Sequence, residues 1–129
     1  MDNSHYFVFD IDPIPKNSDK KNKYGFQYTP SHIKSYMKDI AIIAKEIWGA
    51  RKLIDAPIKA ELVFYIARPR SIKNRKYPHK KPDLDNLEKG FWDSLEGIVF
   101  TNDSRIVTKT VSKQYSHEGR IELKLRVLR

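Results

Sequence analysis

Asp83 and Asp85 stand one residue apart in the stretch Lys81-Pro82-Asp83-Leu84-Asp85-Asn86-Leu87-Glu88-Lys89. Two carboxylates at that spacing can supply oxygen ligands to a hard divalent cation, which often needs only one or two of them beside water and phosphate. A cation held there polarises a phosphodiester and raises the reactivity of water toward it. Lys89 lies one helical turn beyond Asp85, within reach of a scissile phosphate or the oxygen that leaves it. A third acid, Asp103, follows in Phe100-Thr101-Asn102-Asp103-Ser104-Arg105. Plainer uses of the same residues stay open at this point. Asp83 or Asp85 can cap a helix. Asp85, Lys89 and Asp93 can form a salt-bridged helix face. Asn102 and Asp103 can be an ordinary turn before a strand.

The charge immediately upstream bears on that choice. From Arg68 to Lys81 there are seven basic residues, Arg68, Arg70, Lys73, Arg75, Lys76, Lys80 and Lys81, and no acid. Pro69 and Pro78 keep the segment from being helical. Like charges at this density repel, so the loop alone is expected to be mobile, and a phosphate backbone would relieve the repulsion. With about seven phosphates contacted, log K would fall against log salt with a slope of roughly −6. The alternative is a solvated charged loop. Carboxylates beside a phosphate-gripping surface oppose binding unless a cation reverses their sign, which points to Mg²⁺, with Mn²⁺ as a substitute. Tyr77 and His79 are in a position to stack on bases.

The elements that must position these groups can be read from periodicity. Tyr6 to Ile11 reads as a first strand, stopped by Asp12-Pro13-Ile14-Pro15. A polar loop follows, with Lys16, Lys20, Lys21 and Lys23, and Tyr24, Phe26 and Tyr28 alternate at its end. Its residues 16–28 are a candidate for extra DNA or partner contact. Thr29 before Pro30 reads as an N-cap ahead of a first-turn proline. Ile33, Met37, Ile40, Ala44, Ile47 and Trp48 then recur at helical spacing over 30–48, and Gly49 is placed to end the helix. Ile58 to Ala67 is largely apolar and reads as a strand covered on both faces. A second helix spans 84–96, with Leu84, Leu87, Phe91, Leu95 and Ile98 facing the core and Gly97 closing it. Ile106 to Val111 and Ile121 to Val127 are two more strands around a turn at His117-Glu118-Gly119. If the first of these pairs with the 58–67 strand, Asp103 returns beside the start of the second helix. The expected fold is one α/β (α+β) domain over residues 1–129, a small mixed β-sheet with two helices in the order β-α-β-α-β-β.

The 129-residue chain is one domain in size, and 40% of it is apolar. It has 25 basic against 16 acidic residues, a net charge of +9 that favours a polyanionic partner. It has no cysteine, which excludes disulfides and thiolate metal sites and suits a reducing cytoplasm, the expected location. Neither a membrane-spanning apolar run nor a signal peptide is expected. The four histidines are scattered, without metal-ligand spacing. Trp48 is expected in the core, and Trp92 in the core or at a dimer contact.

Three blocks, Lys81 to Lys89, Trp92-Asp93-Ser94-Leu95-Glu96-Gly97 and Asn102-Asp103-Ser104-Arg105-Ile106, together resemble the signature of the RusA-like Holliday-junction resolvases, small nucleases common in phages and prophages. The proline-rich Asp12 to Asn17 segment and the basic loop also fit. The resemblance implies a homodimer that cuts four-way DNA symmetrically with Mg²⁺. It implies essential roles for Asp83, Asp85, Asp103 and Lys89, and supporting roles for Asn86 and Asp93. The family often has two acids where this chain has Asn102 and Asp103, so Asp103 is expected to carry the metal, with Asn102 a tolerated neighbour. Two readings from other classes compete: a nucleic-acid-binding module without catalysis, in which the acids only cap and pair, and a structural dimer or partner-binding protein. Cleavage of branched DNA separates the first from the enzyme, and salt-insensitive retention on DNA marks the second.

Overall fold

The computed structural model describes residues 3–16 and 20–129. Met1 and Asp2, and residues 17–19 of the loop expected after the first strand, lie outside these. The elements run β1 (Ser4–Phe9), β2 (Lys20–Lys21), β3 (Gln27–Tyr28), α1 (Ser31–Trp48), β4 (Ile58–Ala67), α2 (Leu84–Leu95), a 3₁₀ turn (Asp103–Arg105), β5 (Ile106–Ser116) and β6 (Arg120–Val127). The main elements follow the expected β-α-β-α-β-β order in one small α+β domain. The β2–β3 ribbon is an addition, too short to leave a periodic signal.

Four strands make one mixed sheet in the order β1-β6-β4-β5. β6 is antiparallel to both β1 and β4, whereas β4 and β5 are parallel. A parallel pair needs a crossover, and α2 is that crossover. Pairing also moves the strand ends. β1 begins at Ser4 and stops at Phe9, because its partners run from Arg126 to Ile121 on β6. β5 continues beyond the expected Val111 to Ser116, because β4 offers partners as far as Ala67.

Side chains alternate along each strand, and one side of the sheet takes the apolar set. Phe7 and Phe9 of β1, Ile58, Ala60, Leu62 and Phe64 of β4, and Ile121, Leu123 and Leu125 of β6 are buried. Lys59 and Glu61 point to solvent, so β4 is covered on one face only, contrary to the two-sided burial expected from its apolar composition. Both helices lie on the covered side. α2 buries Leu87, Phe91 and Leu95 completely, with Leu84 and Ile98 packed at the margin. α1 buries Ile33, Tyr36, Ile40, Ala44 and Trp48, while Ile47 is exposed and Tyr36 takes a core position instead. Phe91 is the hub: its ring meets Phe9 at 5.4 Å, Phe64 at 6.0 Å and Trp92 at 5.2 Å, each edge-on. Such pairs contribute about 0.5–1.5 kcal/mol each beyond their burial.

Two helix ends differ from expectation in detail. Pro30, rather than Thr29, occupies the cap position of α1, and no side chain caps it. The Pro30 carbonyl accepts from the Ile33 and Lys34 amides instead. At the other end Gly49 adopts φ 67°, and its N–H closes on the Lys45 carbonyl, a left-handed ending that costs glycine nothing.

Candidate active site

With its Leu87-Phe91-Leu95 stripe committed to the core, α2 must turn its remaining side chains outward. Asp85, Glu88, Lys89, Trp92 and Asp93 line one open cleft there, together with Asp103 and Lys109. Asp103 reaches the cleft because β5 starts level with β4, Ile106 opposite Ile58. The chain entering β5 therefore passes alongside α2. The Asp103 amide donates to Glu96 Oε1 at 2.7 Å, which fixes the turn near the far end of the helix. The cleft thus gathers Asp85, Lys89 and Asp103. Asp83 stands just outside, on an adjoining hollow lined by Pro13, Pro15, Ile66, Lys81, Pro82 and Asn86. Among the described residues, no three His, Cys, Asp or Glu side chains are gathered closely enough to hold a metal ion by themselves.

The plainer uses of these acids find little support in the contacts. Asp83 occupies the N-cap position of α2, yet its side chain makes no cap hydrogen bond. No ion pair joins Asp85 to Lys89 or Lys89 to Asp93: Lys89 Nζ lies 3.5 Å from Asn86 Oδ1, and Asp93 faces Lys16 Nζ at 3.8 Å. Among the described residues, the Asp83, Asp85 and Asp103 carboxylates have no hydrogen-bond or ion-pair partner. All three are exposed. Asn102 does the structural work at its corner: its side chain accepts from the Ser104 amide at 2.8 Å and caps the 3₁₀ turn. The neighbouring Asp103 carboxylate is thereby left free.

Other charges in and around the cleft are engaged. Glu88 Oε1 accepts from Lys109 Nζ at 2.8 Å and from Trp92 Nε1 at 3.0 Å, so the buried Trp92 ring is held by a partly buried carboxylate. Asp55 accepts from Arg105 Nε at 2.7 Å and from Thr101 Oγ1 at 3.0 Å. These bonds, Arg105 first, hold the Asp55 carboxyl below its ordinary value. They also tie both ends of the Asp103 turn to the segment before β4.

The seven basic residues from Arg68 to Lys81 are all exposed. Charge density suggests a mobile loop, and its backbone is hydrogen-bonded to β5 at several points. The Arg68 amide donates to the Ser116 carbonyl at 2.9 Å and the Tyr115 amide to the Lys76 carbonyl at 2.8 Å. Lys113 Nζ donates to the carbonyls of Lys80 and Pro82 at 2.7 and 2.8 Å. Pro78 is buried, and the Lys81–Pro82 peptide is cis. Backbone anchoring leaves the cationic side chains outward, next to Asp83. Tyr77 is exposed, and His79 Nδ1 lies 2.9 Å from Arg75 Nη1.

Several residues of this site were not singled out from sequence. Glu88 had a usable signal, since it follows Asp85 by three on a helix. Lys109 had none until β5 was paired: it sits opposite Ala60, whose side faces the helices. Asp55 and Arg105 are too far apart in the chain for any local pattern to join them.

No helix among the described residues is long and apolar enough to cross a membrane. The chain is similar to the uncharacterized protein YqaN of Bacillus subtilis (strain 168), with 29% identity over 123 residues, covering 87% of this chain and 85% of that protein. The family model for endodeoxyribonuclease RusA matches residues 10–126, a span that contains the basic loop, α2, the Asp103 turn and the whole of the β4–β5 pair. This chain therefore belongs to the RusA endodeoxyribonuclease family.

Proposed function

We propose that the chain is a Mg²⁺-dependent endonuclease that acts as a homodimer and resolves four-way and other branched DNA by symmetric phosphodiester hydrolysis, in recombination and repair. The observation that carries the reading is the pairing of opposites. Three exposed carboxylates have no internal partner, and two of them, Asp83 and Asp85, stand directly behind seven exposed cations on an anchored loop, with Asp103 on the same cleft as Asp85. The donor set is all oxygen, which suits Mg²⁺, with Mn²⁺ as a substitute, rather than a metal that prefers nitrogen or sulfur. Asp83, Asp85 and Asp103 are the carboxylates that would hold the ion. A site of few carboxylates is normal for Mg²⁺, because the substrate phosphate supplies further oxygens. When bound, the ion supplies Lewis-acid polarisation of the phosphoryl group.

The chain's own residues do the rest. Arg68, Arg70, Lys73, Arg75, Lys76, Lys80 and Lys81 bind the phosphate backbone without reading sequence. Lys89, loosely held by Asn86, is the group available to the scissile phosphate or its leaving oxygen. Trp92, fixed by Glu88, forms the wall of the cleft. A four-way junction presents two equivalent strands, and an isologous dimer presents two equivalent clefts.

The test is cleavage of a synthetic four-way junction by wild type, Asp83→Asn and Asp85→Asn. With Mg²⁺ the wild type cuts and both variants do not, while all three bind the junction in Ca²⁺ or EDTA. Wild-type protein that leaves junctions, flaps and single strands intact with both Mg²⁺ and Mn²⁺ overturns the proposal.

A further inference from the structure

The β2–β3 ribbon plays no part in the cleft, yet it is built to present side chains. Asn22 Oδ1 accepts from the Tyr24 amide at 2.9 Å and the Phe26 amide at 3.1 Å, and the Asn22 amide donates to the Phe26 carbonyl at 2.9 Å. Gly25 takes φ 82° at the tip, a conformation that suits glycine. A side chain thus fastens the turn, and the aromatic groups on it face water. Tyr24 is 72% exposed, Phe26 69% and Tyr28 44%. Rings this large are normally buried, and three so close together in the chain form an apolar patch that calls for an occupant.

The surroundings identify the occupant's chemistry. Lys21 and Lys23 lie on the same ribbon, Lys23 Nζ sits 5.1 Å from the Tyr24 ring, and residues 20–28 contain no acid. Phe26 directly precedes β3 and Tyr28 ends it, and the Phe26 carbonyl pairs with the Asn22 amide across the ribbon. Two residues of extended chain span about 6.7 Å, twice the roughly 3.4 Å spacing of stacked bases, so rings at that spacing can flank one base. Rings flanked by cations suit an unstacked base on a phosphate backbone. A buried protein partner would instead need these lysines paired or removed from the contact.

The ribbon is also near the cleft. Lys16 donates its amide to the Asn86 carbonyl at 2.8 Å and pairs with Asp93 at 3.8 Å. Four residues later β2 begins, and four residues span at most about 14 Å. The base of the ribbon therefore lies within that distance of Lys16, which itself touches Asn86 and Asp93.

We infer that Tyr24, Phe26 and Tyr28 form a base-stacking site for unpaired nucleotides at a DNA branch point, separate from the backbone grip of the Arg68–Lys81 loop. The site rests on the branched-DNA reading for its substrate but not on cleavage. It would select branched or single-stranded DNA over continuous duplex, whose bases are already stacked.

The experiment measures equilibrium binding in EDTA, so nuclease activity does not enter. Full-length wild type and the Tyr24→Ala/Phe26→Ala/Tyr28→Ala variant are titrated with a four-way junction, a short oligo-dT strand and a linear duplex. The variant is expected to lose roughly tenfold or more in affinity for the junction and single strand, the scale of stacking on one or two bases. Its duplex affinity and melting temperature stay at the wild-type level. Phe26→Trp is expected to retain junction binding, with its added fluorescence quenched by oligo-dT but not by duplex. Unchanged junction affinity, or an equal loss on junction and duplex, overturns the site. A variant that changes oligomeric state while binding DNA normally overturns it in favour of a protein contact. A wild-type protein that binds junctions through these rings but never cuts them leaves this site standing and removes only the proposed reaction.

Discussion

The two faces of α2 follow opposite rules. Inward, Leu87, Phe91 and Leu95 are completely buried and meet apolar neighbours on every side. Outward, Asp85 and Lys89 are exposed, and Asp85 has no ion-pair or hydrogen-bond partner among the described residues. The inner face spends its chemistry on holding the helix still. The outer face leaves the Asp85 carboxylate unsatisfied, which costs little in water and keeps it available to a cation. On the proposed function, stability and reactivity are carried by different residues of one twelve-residue helix, and substitutions should separate them.

The largest expected effect is on the inner face. Phe91→Ala removes a ring packed against three others and should lower unfolding free energy by about 3–5 kcal/mol. Chemical denaturation measures it, and a loss below about 1 kcal/mol would show that the aromatic hub is not the pivot of the core. Next is Asp85→Asn. Cleavage of a junction should fall by about a hundredfold or more, the scale of losing one electrostatic stabiliser of a transition state, while the melting temperature changes little. A melting temperature that drops along with cleavage would mean that the outer face also supports the fold. Glu88→Gln is intermediate between the faces, because Glu88 is partly buried and touches both Trp92 and Lys109. Breaking its ion pair should cost no more than about 1 kcal/mol, and Trp92 fluorescence should report the change in the cleft wall. The smallest effect is expected away from the helix, at Asp55→Asn. The Asp55 carboxyl is held below its ordinary value of 3.8 by Arg105 and Thr101. Its contribution to stability is therefore fully present above that value and fades as pH falls through the lowered one. Melting curves of wild type and variant should differ slightly at neutral pH and converge in strong acid. A gap that widens in acid would reverse the assigned sign.

What could be read from the chain follows the same division. The inward stripe of α2 and the strict alternation of β6 were visible because burial on one side imposes a period on the residues themselves. The β4 strand was read as covered on both sides because Val63, Tyr65 and Ile66 mask the exposure of Lys59 and Glu61. The second half of β5, with Ser112, Lys113 and Gln114, carries no apolar period at all. It is a strand because β4 provides a ladder for it, which no local pattern announces. Among site residues, Asp83, Asp85, Lys89 and Asp103 stood out by type and spacing, and the structure gathers three of the four. Lys109 and the Asp55–Arg105 tie depend on register between distant segments and could not be seen. The ribbon at 20–28 was visible only as alternating aromatics. Its turn depends on one asparagine side chain.

The parallel pairing of β4 with β5 has a consequence for the order in which the molecule acquires its abilities. The Arg68–Lys81 loop and the first turn of α2 are neighbours in the chain, so their cations and first two acids are together as soon as that stretch exists. Asp103 joins them only when β5 docks beside β4, a closure between remote segments, which topology makes slow. On the proposed chemistry, a chain still folding could already cling to DNA but could not yet cut it. The third acid would then act as a safety catch, released only when the sheet is complete.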